Sequence, residues 1–162
     1  MKKRKFRVPR WCLILLTAIY AGIMLWLLFF MRIGTPHPGT YAEALASHFD
    51  PIPFEVIGPS VSFILRNPLS ASFAELRILL GNFFLFVPIG WILPYYFPSC
   101  RRAWKLILVT MAIIAVVELT QAFTLLGFCD FDDLLLNTLG AYAGFLFYPL
   151  LSRILPKQNN EE

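Results

Sequence analysis

Glu118 and Gln121 stand three residues apart inside an apolar run. Asp130, Asp132 and Asp133 follow in a short turn, and Asn137 lies one helical turn into the next apolar run. Asn82 stands near the start of an earlier apolar block. In a water-soluble protein these would be ordinary surface groups. This chain of 162 residues is 58% hydrophobic and only 15% charged. An acid inside such a run costs about 3 kcal/mol on insertion scales and calls for a reason.

The chemistry on offer is that of carboxylates and amides. Glu118 is the candidate catalytic residue, as a general base. Glu118, Asp132 and Asp133 are the candidate ligands for a hard cation of the Mg²⁺ type, which takes oxygen donors. The lack of histidine in this polar set argues against zinc. His37 and His48 read as loop and interface residues. A Ser-His-Asp set, HExxH, GxGxxG and a phosphate-binding P-loop are all missing, and the three cysteines make no CxxC spacing. No disulfide and no cofactor are expected. Simpler roles compete. Asn82 and Gln121 would also serve as interhelical hydrogen-bonding glue. Asp130 or Asp132 would also serve as the N-cap of the helix that follows. Gly140 and Gly144 have the spacing of a close helix-packing motif.

Four apolar segments must position these groups. Residues 11–31 carry no charge for 21 positions before Arg32, far beyond a signal-peptide core and with no A-x-A site. Residues 79–97, 104–124 and 134–151 complete an all-α, four-helix polytopic membrane protein. Pro88 is expected to kink the second helix, with Gly90 beside it as a packing residue. The connection 32–78 carries two capping boxes, Thr40-x-x-Glu43 and Ser72-x-x-Glu75. The first opens a short surface helix through Tyr41, Leu45, His48 and Phe49, which Asp50-Pro51 breaks. The second starts the next membrane helix about a turn early. The division is a basic N-terminus (1–10), one membrane domain (11–152) and a polar tail (153–162).

Of the 14 Lys and Arg, six lie before Trp11, three in the Arg101–Lys105 turn and two in the tail, all on one side of a four-helix arrangement. Arg32, Arg66 and Arg77 lie on the other. The positive-inside rule places both termini in the cytoplasm of a plasma-membrane protein, with the connection and acidic turn outward. The formal charge of +4 flanks the apolar blocks and is not a nucleic-acid footprint. At 1.5 Å per residue, Asn82 lies ~5 Å and Glu118 ~10 Å below the outer surface. Glu118 and Gln121 share one face of the third helix, and Asp133, Asn137, Gly140 and Gly144 share one face of the fourth. Polar groups of three helices therefore converge on one outward-facing site: Asn82, Glu118, Gln121, Asp133 and Asn137, with Asp130 and Asp132 at its rim.

Three separated blocks resemble the VanZ-like family in order. They are Asn82-x-x-Leu85-Phe86-x-Pro88-x-Gly90-x-x-Leu93-Pro94, Glu118-x-x-Gln121, and Asp130-x-Asp132-Asp133-x-x-x-Asn137-Thr138-x-Gly140-x-x-x-Gly144. Ile52-Pro53-Phe54 is similar to an Asn-Leu-Ile-Pro-Phe segment of that family, with Asp50-Pro51 in place of Asn-Leu. The resemblance implies a small bacterial multi-pass membrane protein, and links it to a founding member associated with resistance to teicoplanin. Some members carry an arginine in the loop after the third helix. Phe128 and Cys129 stand there in this chain, which removes a cation suited to phosphate.

Three functions follow as expectations. The first is a non-enzymatic protein whose outward polar pocket recognises a lipid headgroup, a cell-wall precursor or a lipophilic glycopeptide, contributing to glycopeptide resistance or envelope homeostasis. The second is an intramembrane carboxylate-dependent hydrolase or transferase of a lipid-linked substrate. The third is a proton-coupled transporter, for which four helices are few. Membrane lipids are the expected partners, and a homo-oligomer is left open.

Overall fold

The computed structural model describes residues 8–30, 39–50, 52–67 and 73–156. The basic segment 1–7, His37, Ser72 and the tail from 157 lie outside them. Four helices are long and apolar enough to cross a membrane: Arg10–Phe29, Leu79–Tyr96, Ala103–Phe123 and Phe131–Leu151. Two features of these spans matter for the site. Helix α7 (Phe131–Leu151) starts at Phe131, which puts Asp132 and Asp133 in its first turn and not in the loop before it. The second span is broken into α4 (Phe73–Phe86) and α5 (Ile89–Tyr96) at Pro88, which has no amide hydrogen to continue the ladder. The other spans are α1 (Arg10–Phe29) and α6 (Ala103–Phe123), and a 3₁₀ turn at Pro98–Arg101 joins α5 to α6.

Helix α7 packs against α4, α5 and α6. Its seam with α4 and α5 is backbone against backbone. A methyl group added at Gly140 would strike the Phe83 carbonyl, one at Gly144 the Val87 carbonyl, and one at Gly90 the Ala141 carbonyl. Only glycine allows this approach, which is the role the Gly140–Gly144 spacing predicts. Helix α1 joins through Met24 and Leu28, which share a core with Phe86 and Ile114. The Tyr20 hydroxyl donates to the Leu85 carbonyl at 2.7 Å. The amide of Val8 donates to the carbonyl of Ile154 at 2.9 Å, so the described ends of the chain meet at one end of the bundle. Large apolar side chains such as Trp11, Phe84, Val116 and Leu146 point away from the bundle on α1, α4, α6 and α7, as lipid-facing residues do.

The connection folds onto the other end. Thr40 Oγ1 accepts from the Glu43 amide at 3.4 Å, and Glu43 Oε2 accepts from the Thr40 amide at 2.9 Å. This capping box opens α2 (Tyr41–Ser47) where its pattern predicts. Phe49–Asp50 (β1) then lies parallel to Cys129–Asp130 (β2), with Phe49 opposite Cys129 and Asp50 opposite Asp130. An amphipathic helix follows, α3 (Ile57–Arg66). The Tyr41 hydroxyl donates to the Phe123 carbonyl at 2.8 Å, tying the connection to the end of α6.

Candidate functional site

The first turn of α7 gathers three carboxylates, where the helix dipole favours negative charge. Asp130 is the N-cap, its Oδ1 accepting from the Asp132 amide at 2.7 Å. Asp132 is 1% exposed, and its carboxylate reaches into the connection. Oδ1 accepts from the Phe54 amide at 2.6 Å, and Oδ2 from the amides of Val56 and Ile57 at 2.9 and 2.8 Å. Phe54 has φ of 65°, a left-handed conformation that a bulky residue rarely adopts. That bend lets successive N–H groups turn inward around one anion. Asp133 takes a different partner: it accepts from the Asn82 side-chain amide of α4.

Glu118 lies on the facing side of α6, 3% exposed, and its Oε2 accepts from the Asp130 amide at 3.3 Å. Gln121, one turn along, is fully buried and donates its side-chain amide to the Leu28 carbonyl of α1 at 2.6 Å. The Gln121 Oε1 and Asn137 Oδ1 atoms are buried and have no hydrogen-bond partner among the described residues. Such an acceptor costs about 1–3 kcal/mol if left unpaired. Thr110 Oγ1, further along the same face of α6, is a third buried oxygen without one.

All seven polar residues thus lie at one end of the bundle, but they do separate jobs. Asn82 with Asp133 and Glu118 with Asp130 link neighbouring elements directly. Asp132 instead holds the connection down, with both oxygens engaged by backbone amides. Asn137 and Gln121 keep buried oxygens unpaired on the same two helices. Glu118, Gln121, Asp132, Asp133 and Asn137 are all buried, so the polar site is covered where an open pocket was expected. A hollow of about 440 Å³ lies along α3 by Pro59, Phe63 and Arg66.

The cover includes a residue that sequence reasoning placed at the surface. His48 is 1% exposed and stacks on Phe128 at 4.7 Å, with its Nδ1 2.7 Å from the Ala44 carbonyl. A carbonyl only accepts, so that nitrogen carries the proton. The His48 carbonyl accepts from the Cys129 amide at 2.7 Å. Histidine therefore does reach the acidic end, because the two-residue bridge brings α2 beside the turn. Even so, no three His, Cys, Asp or Glu side chains come together as a metal-holding group among the described residues. Cys129 is an unpaired thiol, pushed above the usual cysteine range by burial, then by the negative charges of Glu118 and Asp130.

The grip of Asp132 on the connection had no sequence signal, since backbone amides donate whatever the side chain. The burial of His48, the residue that ends α2, comes from Phe128 and had no such signal either.

A helical bundle with four apolar spans, packed through glycines and carrying buried acids at one end, defines a polytopic membrane protein. The family model described as VanZ/LLP1 matches residues 17–152, most of the chain, and the protein belongs to this family. No curated protein and no solved structure matches it.

Proposed function

We propose that the acidic end faces outward and recognises a lipid headgroup, cell-wall precursor or lipophilic glycopeptide by hydrogen bonding at headgroup depth, without catalysing a reaction on it. The observation that carries this reading is the pair of buried, unpartnered amide oxygens on Gln121 and Asn137, each about one helical turn from a carboxylate, Glu118 or Asp133. A site made only for packing has no use for such atoms, whereas a recognition site offers them to a ligand. Engagement of both Asp132 oxygens by backbone amides supports binding over carboxylate catalysis, since that acid is already committed to holding the chain. Arg101, Arg102, Lys105 and Arg153 at the opposite end support this orientation, and the VanZ/LLP1 family and the four spans support a plasma-membrane location.

The test is binding of purified protein in nanodiscs to a panel of envelope lipids and a teicoplanin-type glycopeptide. Glu118→Gln serves as the paired variant. Binding that persists at reduced strength in Glu118→Gln and ignores chelators supports recognition. Product formation abolished by Glu118→Gln or by chelators would replace it with the carboxylate-dependent enzyme. Binding indifferent to Glu118→Gln and Asp133→Asn, with both variants folded, would make the site structural.

A further inference from the structure

Resting on that reading, we infer that the group taken by this site is a primary ammonium, as borne by an ethanolamine headgroup or an amino sugar. Gln121 is held in one orientation. Its side-chain NH₂ faces the Leu28 carbonyl at 2.6 Å, and only the donor end of an amide can face a carbonyl. Its oxygen is therefore turned the other way, as an acceptor fixed in place. Asn137 contributes a second buried acceptor from α7. The two helices pack against each other, and each carries a carboxylate about one turn from its amide: Glu118 on α6 and Asp133 on α7.

An ammonium group matches this set. It carries three donors and no acceptor, so every contact with the amide oxygens is favourable. Its positive charge is drawn to Glu118 and Asp133, more strongly at low local dielectric than in water. A phosphate fails on both grounds, because its oxygens would face carbonyl oxygens and carboxylates. A hydroxyl donates only once and brings no charge. Size argues the same way. Gln121 is fully buried and Asn137 1% exposed, so the group that reaches them must be slim. Three methyl groups on the nitrogen would remove the donors and add bulk.

The experiment compares wild-type protein in nanodiscs against ethanolamine-, choline- and glycerol-headed lipids of identical chains, by native mass spectrometry and by shift of the unfolding temperature. Soluble glucosamine and N-acetylglucosamine serve as competitors. The expected result is retention of the ethanolamine-headed lipid about tenfold above the choline-headed one. The near-isosteric variants Gln121→Met and Asn137→Leu should remove that preference. Displacement by glucosamine but not by N-acetylglucosamine would point to an amino sugar as source. A preference for ethanolamine lipid that glucosamine does not disturb points to the lipid. Equal retention of all three lipids by wild-type protein, with no difference between the two sugars, overturns the ammonium. If a different headgroup is still lost in the variants, recognition at this site stands while its chemistry changes. If neither headgroup nor sugar binding responds to either folded variant, both readings fall together. The wild-type comparison decides the point even where a variant does not fold.

Discussion

Along its first turn α7 meets its neighbours through carboxylates. Two to four turns further on it meets α4 and α5 backbone to backbone, at Gly140 and Gly144. The first seam is made of hydrogen bonds that break and re-form one at a time. The second is made of steric fit, which has no intermediate setting. One helix thus combines an end that is adjustable, where a ligand is proposed to act, with a shaft that is not. The lesson is that acids and glycines in the same motif serve different purposes, although the sequence lists them side by side.

Substitutions in the shaft should have the larger effect. Gly144→Val places a side chain on the Val87 carbonyl and should cost more than about 3 kcal/mol, beyond ordinary overpacking because backbone must move. Fluorescence-detected size exclusion in detergent should show little monodisperse protein. Recovery of a wild-type profile would mean the seam yields as readily as the acidic end.

Next comes Asp132→Ala, which strips the acceptor from three amides. We expect a loss of about 2–3 kcal/mol, less than the full desolvation of three donors because water can reach the released segment. Limited proteolysis should then cut within 52–67. Resistance to cleavage together with an unchanged unfolding temperature would show that the connection is held by something else.

Asn82→Ala, which removes one membrane hydrogen bond to Asp133, should cost only about 1 kcal/mol in thermal unfolding. A cost near that of Gly144→Val would erase the contrast between the two seams.

The smallest effect is on reactivity. The Cys129 thiol is held above its usual range by burial and by the charges of Glu118 and Asp130. Neutralising Glu118 removes one opposing charge, lowers the pKa and raises the thiolate fraction at any given pH below it. Glu118→Gln should therefore quicken maleimide labelling of Cys129 a few-fold at pH 8, in a protein whose Cys12 and Cys100 are replaced. Slower labelling would place Glu118 elsewhere than beside the thiol.

Much of this was legible in the chain. The four spans, the break at Pro88, the Thr40 capping box and the glycine seam all follow from local rules, because each depends on neighbours within a few residues. The convergence of Asn82 with Asp133 was also legible, once depth was reckoned from helix ends. The exact start of α7 was not: Asp130 and Asp132 can each cap a helix, and Asp130 takes that place while the connection holds the Asp132 carboxylate. The covering of the site was illegible for the same reason. It depends on a parallel two-residue bridge between Phe49–Asp50 and Cys129–Asp130, about 80 positions apart, and on a left-handed Phe54 that no side-chain pattern announces. His48 was misplaced because its burial comes from Phe128, a partner at the same long separation.

The grip of Asp132 has a further meaning for how the segment above it can change. It reads only main-chain amides, so it is blind to the identity of residues 54, 56 and 57. The segment behaves as an interchangeable cassette: its exposed side chains can change while its mooring stays the same. Only proline at those three positions would cast it off, and glycine at Phe54 would moor it with less strain.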